Sequence, residues 1–69
     1  MQFTWEPGFT ITTSVQDGTT VIAANREGLV SLANHLMTLA EGAPGDHFHL
    51  DEHNSLEDGS CELIVTLTG

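Results

Sequence analysis

The sequence predicts an α+β fold in which one helix packs on one face of a four-stranded, mainly antiparallel sheet, in the order β-β-α-β-β. Three observations predict it. An alternating apolar and polar run ends at the turn pair Asp17-Gly18, a segment with apolar residues three and four apart follows, and β-branched residues return near the end. With 69 residues, the chain is expected to form one small domain over residues 1–69.

The first two strands are predicted as a hairpin. Apolar and polar residues alternate from Phe9 to Gln16, and the set that begins with Phe9 and Ile11 and ends with Val15 is expected to face the core. Asp17-Gly18 suits a type I′ turn because both residues tolerate positive φ. Thr19 to Ala24 then returns as the second strand.

A helix is predicted to begin at Asn25, whose side-chain oxygen can accept from the free amides of the first turn. Gly42 and Pro44 are expected to end it. The apolar positions should form one stripe on the sheet: Leu29, Leu32, Ala33, Leu36, Met37, Leu39 and Ala40. The polar positions should face away from it: Glu27, Ser31, Asn34, His35, Thr38 and Glu41.

Two further strands are predicted after the helix, His47 to Asp51 and Cys61 to Leu67, joined by a polar loop over residues 52–60. Met1 to Gly8 is a further candidate for an edge strand, although Pro7 interrupts it. One helix covers only one sheet face, so the other face should meet solvent or a partner. Because so small a chain buries little surface, a homodimer that pairs through this face is an alternative.

Charge is the strongest compositional signal: ten Asp and Glu residues stand against one basic side chain, Arg26, and the formal net charge is -9. Nucleic acids and anionic membranes are bound mainly through Lys and Arg, so neither is expected as a partner. A basic protein partner is expected instead, because opposite potentials speed association. Charge that simply keeps a small protein soluble is the alternative.

A cytoplasmic location is expected. No stretch approaches the roughly 20 apolar residues of a membrane-spanning helix, and Met1 to Gln16 has neither the basic start nor the apolar run of a signal peptide. The chain has one cysteine, Cys61, so an internal disulfide is excluded and a reducing compartment fits.

Half of the carboxylates fall within 13 residues, and they are the expected partner-binding residues: Asp46, Asp51, Glu52, Glu57 and Asp58. Such a ridge would attract a basic groove. A solvated acidic loop is the alternative, because repulsion among exposed carboxylates costs little in water. The dipeptide Asp58-Gly59 also fits a plain turn.

A metal site is an alternative, although no cofactor is the leading expectation. His47, His49 and Asp51 alternate along a predicted strand, which would place them on one face about 6.6 Å apart. Two imidazoles and a carboxylate can bind zinc or nickel, and His53 could add a ligand from the loop. The simpler interpretation is an exposed strand face opposite Phe48.

An enzyme is not expected. A chain of this size offers little room for a substrate pocket. Cys61 is the one candidate nucleophile, and the sequence places no basic residue nearby to activate it. We expect instead a half-buried thiol on the same strand face as Leu63 and Val65.

Two short motifs mark the chain, Asn25-Arg26-Glu27-Gly28-Leu29 at the helix start and His49-Leu50-Asp51-Glu52 at the acidic segment. Together with residues 54–60 and 62–64, they resemble the immunity protein thirty-two family of small bacterial proteins associated with polymorphic toxin systems, over about residues 20 to 67. The resemblance implies a cytoplasmic antidote that binds and neutralises a cognate toxin. It also implies a basic partner, because many such toxin domains act on nucleic acid.

Overall fold

The computed structural model describes residues 3–69, and its elements follow the predicted order β-β-α-β-β. The elements are β1 (Ile11–Gln16), β2 (Thr19–Ala24), α1 (Arg26–Ala40), β3 (His47–Leu50) and β4 (Leu63–Thr66). The candidate edge strand over residues 1–8 is not formed in residues 3–8, and its first two residues, Met1 and Gln2, lie outside the described part of the chain.

The predicted hairpin is confirmed. Strands β1 and β2 pair antiparallel along their full length, with Ile11 opposite Ala24 at one end. Asp17 and Gly18 form the turn with φ values of 52° and 80°, the left-handed conformation that this dipeptide adopts at low cost. Ile11 is buried as expected, whereas Val15 on the same face is exposed, because the hairpin tip extends past the core.

Helix α1 also begins where predicted, because Asn25 caps it. The Asn25 Oδ1 accepts from the amides of Gly28 (2.7 Å) and Thr10 (3.0 Å), and its Nδ2 donates to the Gly8 carbonyl oxygen (2.9 Å). Asn25 therefore joins the first helical turn to the segment before β1. Glycine is required at position 28, because a Cβ there would collide with the Thr10 carbonyl oxygen.

The single four-stranded sheet is wrong: the described residues hold two separate two-stranded antiparallel sheets, β1-β2 and β3-β4. The second edge of β1 is taken by the β3–β4 connection, where the Glu57 amide donates to the Ile11 carbonyl (2.9 Å) and the Cys61 amide to the Thr13 carbonyl (3.1 Å). Between these two bonds the chain makes a turn, and the Ser60 hydroxyl accepts from the Thr13 amide. Side-chain and turn contacts thus replace the continuous ladder that would fuse the sheets.

The last two strands are shorter than predicted. Strand β3 ends at Leu50, and β4 begins only at Leu63, the residue that pairs with Leu50. Cys61 therefore precedes β4; the residue is exposed, and its thiol contacts the Thr13 hydroxyl at 3.5 Å. The longer connection contributes Leu56 to the core. The buried apolar residues come from every element except β2 and β4: Ile11, Leu32, Leu39, Phe48, Leu50 and Leu56.

The predicted orientation of α1 is wrong for much of its length. Ser31 and His35, expected to face away from the core, are 0% and 1% exposed. Leu29, Leu36 and Met37, expected in the core, are 54%, 44% and 65% exposed. The helix therefore buries a partly polar face and presents an apolar one.

The segment before β1 explains this orientation. The Glu6 amide donates to the Ser31 hydroxyl (2.7 Å), and the His35 ring stacks on Phe3 with ring centroids 4.5 Å apart. Trp5 also packs on His35, at a centroid distance of 4.0 Å. The hydrogen bond satisfies the Ser31 hydroxyl, and the aromatic rings of Phe3 and Trp5 cover the His35 ring, so this side of the helix is buried although it is partly polar.

Candidate partner-binding surface

Residues 51–62, called here the acidic loop, connect β3 to β4 and carry five carboxylates. Its first turn is held by its own backbone: the Asp51 amide donates to the Asn54 carbonyl (3.1 Å), and the amides of Asn54 and Leu56 donate to the Asp51 carbonyl (both 3.0 Å). Leu56 then anchors the loop in the core. The acidic loop is thus an ordered platform tied to both β1 and the core.

Three of the predicted carboxylates help to hold turns. Asp51 Oδ1 accepts from the His53 amide (2.9 Å), and Glu52 Oε2 accepts from the Gly59 amide (2.8 Å), which brings the two halves of the loop together. Asp46 Oδ2 accepts from the Ala43 amide (2.9 Å). Each of these bonds uses one oxygen of its carboxylate.

The other two predicted carboxylates, Glu57 and Asp58, lie exposed at the far turn of the loop. The Ser60 amide donates to the Glu57 carbonyl (3.2 Å), and Gly59 has a φ of 84°, so Asp58-Gly59 is indeed a tight turn. Within residues 3–69, neither carboxylate makes a hydrogen bond or an ion pair. Both are therefore free to pair with a basic side chain.

The structure gathers four of the five predicted residues on the acidic loop and separates the fifth. Asp46 precedes β3, whereas Asp51 follows it, so the two lie five positions apart along an extended chain, or roughly 16 Å. A contact that uses Asp51, Glu52, Glu57 and Asp58 need not reach Asp46. Glu62, which is not among the predicted partner-binding residues, is the last residue of the acidic loop before β4.

His47 and His49 lie side by side on the exposed face of β3, with ring centroids 5.0 Å apart. Asp51 does not continue this row, because β3 ends at Leu50 and the carboxylate turns to the His53 amide. Within residues 3–69, no group of three or more His, Cys, Asp and Glu side chains is arranged to hold a metal ion. The zinc or nickel alternative stays a prediction, which calorimetric titration before and after replacing His47 and His49 by alanine would test.

A cavity of about 340 Å³ lies beside the histidine pair, and the sequence interpretation missed it. Its aromatic lining comes from Phe3, Trp5 and Phe48, and polar atoms come from Asn54 and Ser55. The lining joins the N-terminal segment to β3 and the acidic loop, which lie more than 40 positions apart in the chain. No local pattern in the sequence predicts that these three segments come into contact.

His35 also lines this cavity. Its Nδ1 lies 2.6 Å from the Ser31 carbonyl oxygen, which can only accept, so Nδ1 carries the proton and Nε2 is an acceptor in the neutral ring. Within the described residues, Nε2 is buried and has no hydrogen-bond partner. His35 therefore serves the core mainly as a flat ring between Phe3 and Trp5.

No helix within residues 3–69 combines the length and the apolar character that crossing a membrane requires.

Comparison with family models gives one match, to the family described as Immunity protein 32, over residues 19–68. This chain belongs to the immunity protein thirty-two family. The match confirms the resemblance that the two sequence motifs indicated. Comparison with curated proteins found no match, and comparison with solved structures found none either.

The immunity protein thirty-two match runs from the start of β2 to the end of β4 and includes the whole acidic loop. Phe3 and Trp5, which line the cavity, lie outside it. The matched range therefore includes the helix and the acidic loop, whereas the cavity depends in part on residues that the match does not cover.

Proposed function

We propose that this immunity protein is a cytoplasmic, non-enzymatic antidote whose acidic loop binds the basic surface of a cognate toxin domain. Family membership supports the general role. The anchored acidic loop, with Glu57 and Asp58 unpaired among the described residues, is the observation that carries the rest. Asp51 and Glu52 support the same surface, and Asp46 lies at its margin.

The order of the loop favours tight binding. Hydrogen bonds within the loop, the bonds to β1 and the burial of Leu56 fix its backbone before any partner arrives. A surface that is already ordered loses little conformational entropy on docking, so more of the contact energy becomes affinity. Glu57 and Asp58 can meet Lys or Arg without breaking a bond that the free protein makes.

Neutralisation follows from charge. A toxin domain that acts on nucleic acid holds phosphates through Lys and Arg. Carboxylates placed in that groove satisfy the same side chains with charge-assisted hydrogen bonds and exclude the substrate. Opposite net charges also speed the encounter, so the antidote can capture its toxin before the toxin reaches its substrate.

A matched pair of charge reversals tests this proposal. The probe is the C-terminal domain of a toxin-like protein encoded beside this gene, and association is followed by stopped-flow at about 50 mM and about 500 mM NaCl. Asp58→Lys lies on the acidic loop and Glu6→Lys lies on the segment before β1, and both raise the net charge by the same amount. We expect Asp58→Lys to slow association about tenfold at low salt and Glu6→Lys to slow it less than about threefold.

Equal slowing by the two replacements would mean that only the total charge matters, which contradicts a defined acidic contact. Association that is independent of salt would contradict electrostatic steering. Turnover of a substrate by the purified chain, abolished by replacing Cys61 or His49, would contradict the non-enzymatic role.

A further inference from the structure

The outward face of α1 carries four of the eight large apolar side chains that are exposed among the described residues. Leu29, Val30, Leu36 and Met37 are each 44% exposed or more, and the exposed Ala33 and Ala40 lie between them. Spacings of three and four place these six residues on one side of the helix, opposite the buried Ser31 and His35. A monomer seldom leaves so continuous an apolar face in water, because contiguous apolar patches mark interaction sites.

The face has the pattern of a helix-helix seam. Leu29, Ala33, Leu36 and Ala40 are spaced by four, three and four residues, as the inward positions of a coiled coil are. Leucine alternates with alanine along this row. In two antiparallel copies each leucine can lie against an alanine of the other helix, and the small side chains allow the axes to approach closely.

The charges at the two ends of α1 indicate both which partner fits this face and how the partner's helix is oriented. From Gly28 to Ala40 the helix carries no Asp, Glu, Lys or Arg. Arg26 begins α1, and Glu41 follows its last residue. In two antiparallel copies, Arg26 of each copy would therefore lie beside Glu41 of the other, which gives one opposite-charge pair at each end of the helix pair. Parallel copies would oppose like charges at both ends. A basic partner would find no carboxylate along the middle of this face.

We infer that the outward face of α1 is a self-association surface, on which a second copy of this chain packs with its own α1 antiparallel. This inference goes beyond the proposed antidote role and does not depend on it. Two such faces bury a total area on the order of 1,000 Å², near the lower limit for a specific interface. We expect a reversible dimer, because interfaces of this small size are typical of weak association. The net charge of -9 on each copy opposes it at low salt.

Sedimentation velocity of the intact chain tests the surface, over about 1 to 200 µM protein and at about 50 mM and 500 mM NaCl. We expect the mass to move from one chain to two as concentration rises, with tighter association at the higher salt. Ala33→Lys puts a charge in the middle of the seam and should keep the chain monomeric. Asn34→Lys makes the same charge change one residue away, off the seam, and should associate like the parent chain.

A charge exchange tests the orientation. Arg26→Glu should weaken association at least tenfold, because four carboxylates then meet at the two ends of the helix pair. The double variant Arg26→Glu with Glu41→Arg has the parent net charge and re-forms both pairs in the antiparallel arrangement, so it should restore the parent affinity. Circular dichroism and a cooperative thermal transition for each variant establish that it is folded.

Three results would overturn the inference. A parent chain that stays monomeric at the highest concentration in both salts would remove it, as would Ala33→Lys associating normally. A monomeric parent whose toxin binding is lost with Ala33→Lys and kept with Asp58→Lys would reassign the face to the toxin. Because toxin binding is measured separately through Asp58, failure of the dimer and failure of the antidote role remain distinguishable.

Discussion

His35 is the most unusual single residue of the core. Its Nδ1 bonds the Ser31 carbonyl, while its buried Nε2 has no partner among residues 3–69. An unpaired buried acceptor costs about 1–3 kcal/mol. The ring repays part of this cost through contacts with Phe3 and Trp5, since aromatic pairs add about 0.5–1.5 kcal/mol beyond the area they bury.

Replacing His35 separates these two contributions. His35→Phe keeps a flat ring and removes the unpaired nitrogen, so we expect the free energy of unfolding to stay within about 1 kcal/mol of the parent value or to rise. His35→Ala opens a cavity and should lower the free energy of unfolding by about 3 kcal/mol. Urea unfolding followed by Trp5 fluorescence measures both. A loss of more than about 2 kcal/mol in His35→Phe would mean that the polar atoms of the imidazole stabilise the fold, which contradicts a role as a flat ring alone.

At the scale of elements, the Asn25 side chain connects two segments through three hydrogen bonds. It caps α1, accepts from the Thr10 amide before β1 and donates to Gly8. The segment that packs on His35 is therefore held at its far end by the same residue that starts the helix.

We expect Asn25→Ala to lower the free energy of unfolding by about 1–2 kcal/mol, because the cap and both other bonds are lost. Asn34→Ala is the matched control on the same helix. It loses no side-chain bond to the described residues and gains helix propensity, so its stability should be unchanged or slightly higher. Thermal and urea unfolding at low protein concentration provide the comparison. Equal losses in both variants would contradict the linking role of Asn25.

The elements that depend on local chemistry could be predicted from the sequence. The Asp17-Gly18 turn and the Asn25 cap lie within a few residues of the atoms they serve, and both are confirmed. The same holds for the order of the elements. The four predicted carboxylates of the acidic loop also come together because they share one short connection.

The face of α1 and the split of the sheet could not be predicted in this way. Apolar residues lie on both sides of the helix, so spacing alone does not decide which side the rest of the chain covers. Phe3 and Trp5 decide it, because they pack on His35 although they precede it by 32 and 30 positions. The sheet is split because the acidic loop bonds to β1 through isolated contacts near Thr13, which no strand pattern reveals.

The whole molecule carries far more negative charge than it neutralises. Within residues 3–69, the two ion pairs, His49 with Glu62 and His53 with Glu52, both depend on protonated histidine and lie at exposed positions. With a formal charge of -9, like-charge repulsion opposes the compact state.

Salt should therefore stabilise the fold. We expect the midpoint of thermal unfolding to rise by several degrees between about 10 mM and about 500 mM NaCl. Glu41→Lys should raise the midpoint at low salt and reduce the response. Measurements at two protein concentrations separate this screening from dimer formation, which alone depends on concentration. A midpoint that falls as salt rises would show that attractive pairs outweigh the repulsion.

The exposed thiol of Cys61 has a practical consequence. It is the one cysteine of the sequence, and it stands at the end of the acidic loop, two residues before β4. A maleimide fluorophore would attach there once per chain, without any replacement in the polypeptide. The protein can thus be labelled at the border of the acidic loop, and titration with a candidate partner would show, through a change in emission, whether that partner binds and in what ratio.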